Sequence, residues 1–156
     1  MLEERRNYMI TDAELNWVNL ASTRDPFNQG AQYEMQIATT DKAQADEWKA
    51  NYLSVKEKEG VFTVSLKRLA MRKDGTDNGK VRVVNADRTP FENVASIGNG
   101  SRGNVIVSQF PYKYAGRAGV GTELTAVQVT DYQEYTPENA MDFDVVGAPA
   151  SDDQMF

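Results

Sequence analysis

The sequence contains no cysteine and no histidine among its 156 residues. Without cysteine there is no disulfide framework, no thiolate metal ligand and no thiol nucleophile, which fits a reducing, intracellular compartment. Without histidine, Ser-His-Asp triads, histidine-ligated zinc and imidazole acid–base catalysis are excluded. The composition therefore removes much of ordinary enzyme chemistry, and we expect no catalytic residues and no cofactor.

Long apolar runs are also missing. No stretch approaches the roughly 20 apolar residues of a membrane span. The first residues, MLEERRNYMITDAELNW, lack the apolar run of a signal peptide. We therefore expect a soluble cytoplasmic protein with no membrane partner. Its length suits one domain with a core large enough to fold alone.

The net charge of -6 is distributed unevenly along the chain. Residues 131–156 carry seven acidic side chains and no lysine or arginine, so residues 1–130, with 17 basic and 16 acidic side chains, have a net charge of +1. Residues 67–117 hold ten basic and four acidic side chains, a local net charge of +6. This asymmetry indicates a surface for a polyanion and a counter-charged arm, with ordinary surface charge as the alternative.

Alternation of apolar and polar residues predicts several short strands. The first two are AQYEMQIAT and VFTVSLKRL, and between them an amphipathic helix is predicted to begin behind Asp41 as its N-cap. The turn-forming segment KDGTDNG is predicted to join the second strand to KVRVVNA as a hairpin. A fourth strand follows IGNGSRGN and is ended or bent by Pro111, and a fifth follows AGRAGVG.

Five short strands with one helix between the first two are typical of a compact barrel or a strongly curved sheet. We predict a mainly β protein, a five-stranded OB-fold barrel with one helix. A β-sandwich with one inserted helix is the alternative that the pattern leaves open. The regular pattern stops after Pro137, so we predict a binding domain over residues 1–137 and a flexible, disordered acidic C-terminal tail over residues 138–156.

Neither glycine-rich segment predicts a nucleotide site, because GNGSRG and AGRAGVG lack the G-x-x-x-x-G-K-[ST] spacing. Their glycines form turns between strands, or else they let the backbone and Arg102 or Arg117 approach a bound strand closely. No metal site is expected either. The carboxylates that would have to converge on magnesium lie in turns among basic residues: Asp74, Asp77, Asp87 and Glu92.

Binding of single-stranded nucleic acid needs a basic groove for the phosphates and aromatic faces for the bases, with each stack contributing about 1 to 3 kcal/mol. The segment FPYKYAGR provides both. Tyr112 and Tyr114 share one strand face if the strand continues past the proline, and Lys113 and Arg117 lie nearby; the alternative for both tyrosines is a place in the core. Five other aromatic residues are assigned to the core and not to DNA: Trp17, Trp48, Tyr52, Phe62 and Phe110.

Four segments in this order resemble the OB-fold single-stranded DNA-binding proteins of tailed bacteriophages: NWVNLASTRDPFN, IATTDKAQADEW, SIGNGSRGNVIVSQFPY and AGVGTELTAVQVTDYQEY. The similarity runs from Trp17 to Tyr135 and includes the acidic tail with its terminal aromatic residue. The most specific parts are the IGNGS turn, the LTAVQV strand and that terminal Phe156. The resemblance implies sequence-independent binding of single-stranded DNA in phage replication, recombination and repair, in the cytoplasm of the infected host cell.

The resemblance also implies a tail that contacts replication proteins through a tip formed by Asp152, Asp153 and Phe156. Without DNA, the tail carboxylates are expected to occupy the protein's own basic groove. The alternatives are a phage structural or decoration β-domain that binds protein, and an RNA-binding OB module; a homo-oligomer is compatible with each. The predicted DNA-binding residues are Lys67, Arg68, Arg72, Lys80, Arg82, Arg102, Tyr112, Lys113, Tyr114 and Arg117.

Overall fold

The computed structural model describes residues 2–24, 30–72 and 74–135. The predicted tail, with Asp152, Asp153 and Phe156, lies outside these ranges, so the domain boundary at residue 137 stays a prediction. Within the described ranges the chain is mainly β with one α-helix. The elements are β1 Arg6–Arg24, β2 Gln32–Thr39, α1 Lys42–Ala50, β3 Lys56–Lys58, β4 Val61–Leu69, β5 Arg82–Asn85, a 3-10 turn Val94–Ser96, β6 Ser101–Tyr114 and β7 Arg117–Asp131.

All seven described strands belong to one sheet, in the order β3-β4-β2-β1-β6-β7-β5. Neighbouring strands are antiparallel, except that β5 runs parallel to β7. The sheet is curled, so that β4 and β7, which are not neighbours in the strand order, come into contact through Arg68 near the end of β4. Its guanidinium donates to the Leu124 carbonyl at 3.4 Å and pairs with the Glu123 carboxylate at 3.3 Å.

The five predicted strands are present as β2, β4, β5, β6 and β7, but the predicted number was wrong. β1 was missed because its register shifts against β6 and β2, which breaks the alternation of apolar and polar residues. β3 was missed because it has three residues, all exposed. The described strands form an open, curled sheet with β3 and β5 at its edges, so a closed five-stranded barrel is not confirmed.

The predicted hairpin between β4 and β5 was also wrong. The turn itself closes through an antiparallel bridge between Met71 and Asp77. The chain then runs from β4 to β7. The Arg68 guanidinium holds this connection by donating to the carbonyl oxygens of Asn78 and Gly79. These bonds direct the following residues towards β7, with which β5 pairs in parallel.

The core lies inside the curl of the sheet. As predicted, β2 and β4 direct alternate apolar side chains into it, and α1 begins behind Asp41, whose carboxylate accepts the Ala43 N–H at 3.0 Å. Within the described residues, no helix combines the length and the apolar character that a membrane crossing requires. The largest fully buried core side chains include Trp48, Ile10, Leu15, Ile37, Leu124, Val105 and Val107.

Two of the five aromatic residues assigned to the core lie in it. Trp48 and Phe62 are 2% and 7% exposed, as expected. Trp17 is 65% exposed, because it lies at an irregularity of β1 where its backbone has a positive φ of 50°. Tyr52 is 36% exposed in the turn after α1, where its ring lies 5.5 Å from the Arg6 guanidinium.

Candidate nucleic-acid interface

Strands β6 and β7 continue beyond the rest of the sheet as a two-stranded ribbon, which we define as residues 110–121. Pairing in the ribbon is continuous, and residues 111–118 are all exposed. Ala115 and Gly116 join the strands with positive φ angles of 52° and 82°, as a two-residue hairpin turn requires. Of the two predicted outcomes, an end or a bend of the strand at Pro111, the first is wrong, because β6 continues to Tyr114. Because pairing with β1 stops at Gln109, the next residues of β6 have one open edge, where proline is tolerated.

Two aromatic rings of the ribbon are seated on glycines of the partner strand. Tyr112 is paired with Gly119, and Phe110 with Gly121. A Cβ added to Gly119 would lie 2.6 Å from Cζ of Tyr112, and one added to Gly121 would lie 2.3 Å from Cε2 of Phe110. The glycines of the AGVG segment therefore let the rings lie across the backbone of β7, which covers one face of each ring.

The exposed tyrosines share one face of the ribbon, as predicted. Tyr112 is 50% exposed and Tyr114 is 78% exposed. Alternate residues of a strand share a face, and Arg117 is paired directly with Tyr114, so its side chain joins them there. Lys113 lies on the opposite face. Among the described residues, no carboxylate forms an ion pair with Lys113 or Arg117, and the ribbon itself contains no acidic residue.

Sequence reasoning missed a further cation at the base of the ribbon. The Arg5 guanidinium lies 4.9 Å from the centre of the Phe110 ring and donates to the Ser108 hydroxyl at 2.7 Å. Phe110 is half-buried beneath it and lies outside the core cluster, so its predicted core position was wrong. No local sequence signal links residue 5 to residue 110, since they meet through the pairing of β1 with β6.

Arg102 occupies the opposite end of β6. Its guanidinium donates to the Asp12 carboxylate at 3.0 Å and to the Asp12 carbonyl at 2.8 Å. The hydrogen bond with Asp12 raises the pKa of Arg102 above its ordinary value, and Glu14 and Asp131 act in the same direction. Arg102 also borders a surface pocket with Asp12, Glu14 and Glu47, so this corner of the sheet is acidic.

The other predicted basic residues are dispersed. Arg68 is engaged inside the curl, as described above, and Arg72 is exposed but donates to the Asp77 carbonyl at 2.9 Å in its own turn. Lys67 is exposed on β4, opposite Glu34 of β2. Two more are exposed on and just before β5, at an edge of the sheet: Lys80 and Arg82. Of the ten predicted residues, the structure brings four together on the ribbon: Tyr112, Lys113, Tyr114 and Arg117.

Sequence reasoning also missed a second exposed aromatic surface. Trp17 and Tyr135, 65% and 51% exposed, line a cleft of about 640 Å³ together with Val18 and Ile97. The tryptophan was assigned to the core on its residue type, and the irregular segment around it gave no contrary signal.

No family model matches the chain, and comparison with curated proteins gives no significant match. Solved structures do match. Gp2.5, a single-stranded DNA-binding protein encoded by bacteriophage T7, is 17% identical, with a TM-score of 0.60 over 92% of this chain and 97% of that chain. The C-terminally truncated single-stranded DNA-binding protein from bacteriophage Enc34 is 11% identical, with a TM-score of 0.58 over 83% and 88%.

A second structure of the Enc34 protein, in complex with single-stranded DNA, is 13% identical, with a TM-score of 0.56 over 83% of this chain and 89% of that chain. The chain therefore has the fold of the phage single-stranded DNA-binding proteins, as the resemblance in its sequence predicted. At sequence identities of 11%, 13% and 17%, the similarity to these solved structures establishes the fold alone.

Proposed function

We propose that this protein binds single-stranded DNA without sequence preference and without catalysis, in phage DNA replication, recombination and repair in the cytoplasm of the infected cell. The observation that carries the proposal is the β6–β7 ribbon, which presents Tyr112 and Tyr114 on one face with Arg117 beside them. The fold supports it, since the similar structures are phage single-stranded DNA-binding proteins and one of them is a complex with that ligand.

The ribbon has the chemistry that this ligand requires. An exposed tyrosine face accepts any base, because every base has a π-face, so stacking tolerates all sequences. The ring of Tyr112 is already fixed on Gly119, so binding a base costs little side-chain freedom. Arg117 on the same face, and Lys113 on the opposite face of the ribbon, supply positive charge for the phosphates of a strand bound there.

The predicted DNA-binding residues divide into three roles in this proposal. Four exposed cations attract the phosphate backbone from a distance: Lys67, Arg72, Lys80 and Arg82. Arg68 and Arg102 position neighbouring segments, because carbonyl and carboxylate oxygens already occupy their guanidinium groups. The direct contacts are Tyr112, Lys113, Tyr114 and Arg117.

We further propose that the tail, residues 138–156, competes with DNA. It carries five carboxylates and no basic side chain, so its removal changes the net charge from -6 to -1. The same segment is proposed to recruit a replication protein through Asp152, Asp153 and Phe156, since an aromatic anchor beside carboxylates fits a basic pocket on a partner.

The test is a titration of the full chain into fluorescently labelled oligo-dT, an equal-length duplex and oligo-U, followed by anisotropy. The proposal predicts much tighter binding of oligo-dT than of duplex. Equal, weak binding of all three would contradict it. Preference for oligo-U would favour an RNA-binding module, and no binding at all would favour a structural phage domain that binds protein.

A further inference from the structure

Trp17 is held in an unusual position for its residue type. A large aromatic side chain normally gains free energy by burial, yet this one is 65% exposed. It lies where the register between β1 and β2 shifts, between Asn16 and Asn19, and its φ of 50° falls in the left-handed region. A bulky residue persists in this conformation when its surroundings impose it.

The IGNGS turn, residues 97–101, imposes that conformation. The Asn99 side-chain oxygen accepts the Trp17 N–H at 2.8 Å. The Gly100 N–H donates to the Asn16 side-chain oxygen at 3.0 Å and to the Leu15 carbonyl at 3.2 Å. Three hydrogen bonds therefore attach the turn to β1 at Leu15, Asn16 and Trp17, up to and including the residue that carries the exposed indole.

The same turn positions a second exposed ring. The Gly98 N–H donates to the Gln133 carbonyl at 2.7 Å, and the Tyr135 N–H donates to the Ser96 carbonyl at 2.7 Å. A Cβ on Gly98 would lie 2.8 Å from the Tyr135 nitrogen, so this approach requires glycine. The turn thus holds Trp17 and Tyr135 at one cleft of about 640 Å³, a volume suited to a small planar group.

We propose that this cleft binds an unpaired nucleobase of the single strand, stacked on the Trp17 indole. The inference rests on the proposed function and adds a contact away from the ribbon. The cleft lies beside the start of β6, whereas the ribbon contains its end, 11 residues from Ser101 to Tyr112 or roughly 35 Å along the strand.

The charges around the cleft decide which part of the ligand enters it. Glu134 borders it, so a phosphate or the acidic tail is disfavoured inside, while a neutral base is not. Ala95 is shared with an adjoining groove that is lined by Lys80 and Glu92, so Lys80 is the cation available there to the phosphate of a base on Trp17.

The two tryptophans of the chain make the proposal measurable. Trp48 is 2% exposed, so the indole that a ligand can reach is Trp17. In the full chain, oligo-dT is expected to quench tryptophan emission, and Trp17→Phe should abolish this quenching. Trp17→Ala should weaken oligo-dT binding roughly 5- to 150-fold, while Trp17→Phe, which keeps a ring, should lose less. Asn99→Ala, which releases the backbone of Trp17, should also weaken binding.

The matched control is Met71→Ala, which removes an apolar side chain of similar exposure, 62%, and should leave affinity unchanged. Anisotropy of labelled oligo-dT reports binding independently of the indole. If anisotropy rises while tryptophan emission and the affinity of Trp17→Ala stay unchanged, the cleft proposal is overturned and the proposed function stands. If oligo-dT changes neither signal, both are contradicted.

Discussion

The two ends of β6 differ in charge although both carry basic residues. At the first end, Arg102 is hydrogen-bonded to Asp12 at 3.0 Å beside Glu14 and Glu47. At the other end, Lys113 and Arg117 are exposed on a ribbon that contains no carboxylate. The local charge of +6 in the sequence is therefore not the charge of one surface, because partners brought in by the fold neutralise some of its members.

The largest expected effect is a loss of stability when Arg68, whose side chain lies inside the curl of the sheet, is replaced. Arg68→Ala should lower the free energy of unfolding by about 3 to 5 kcal/mol, because it removes the ion-pair partner of Glu123 and the hydrogen-bond donor to three carbonyl groups. Urea denaturation measures this loss. Arg72→Ala, at an exposed position in the next turn, is the control and should change it by less than about 0.5 kcal/mol. An Arg68→Ala protein of unchanged stability and weakened DNA binding would contradict this account and show that Arg68 contacts DNA.

The next effect concerns the ribbon rings. Tyr112→Ala and Tyr114→Ala should each weaken oligo-dT binding by about 1 to 3 kcal/mol and leave the salt dependence nearly unchanged, since stacking displaces few counterions. Anisotropy titrations at several salt concentrations measure both quantities. Tyr52→Ala, an exposed ring in the turn after α1, serves as the control. Unchanged affinity in the folded ribbon variants would show that neither ring stacks on a base.

Deletion of residues 138–156 should produce a smaller change of opposite sign. Five carboxylates are lost, so binding to oligo-dT should tighten, most clearly at 0.01 M salt, where the Debye length is about 30 Å. Phe156→Ala should leave DNA affinity unaltered and impair pull-down of a replication partner. Equal affinity of the deleted and full chains at low salt would rule out competition by the tail.

The smallest expected effect concerns the pKa values of two carboxylates within the basic segment, Asp74 and Asp87. Hydrogen bonds from the Thr76 hydroxyl and backbone N–H lower the pKa of Asp74 below its usual 3.8, and Thr89 does the same for Asp87. Because the folded pKa is depressed, the small stabilisation is complete above the ordinary Asp pKa and is lost as the pH falls through the lower, folded value. An NMR titration should show both depressed pKa values, and Thr76→Val should raise that of Asp74 alone. An Asp74 pKa unaffected by Thr76→Val would contradict the assignment.

Much of the fold could be predicted because β2, β4 and α1 obey local periodicity. β1 could not, since its irregularities at Asp12 and Trp17 break the alternation that identifies a strand. The shared face of Tyr112 and Tyr114 followed from their spacing, whereas their exposure was left open against a place in the core. Spacing could not predict the hydrogen bonds of Arg68 with Leu124 and of Arg102 with Asp12, because these partners lie 56 and 90 residues away in sequence.

The structural role of Gly119 and Gly121 could not be predicted from the sequence either. The AGVG segment was interpreted as a turn between strands or as a close approach to a bound strand, whereas Gly119 and Gly121 lie within β7. Only the cross-strand register of β6 with β7 shows that Gly119 and Gly121 seat the rings of Tyr112 and Phe110. A pattern within one strand carries no information on the residue opposite.

The salt dependence of oligo-dT affinity tests the central claim most directly, when the two ends of β6 are compared in folded variants. Each neutralised phosphate on a single strand contributes about 0.7 to the log–log slope. The double variant Lys113→Ala with Arg117→Ala should therefore bind more weakly, with a slope shallower by about 1.4. Arg102→Ala should keep the wild-type slope. A shallower slope for Arg102→Ala, with the ribbon variant unchanged, would show that Arg102 and not the ribbon cations neutralises phosphates, and would contradict the account.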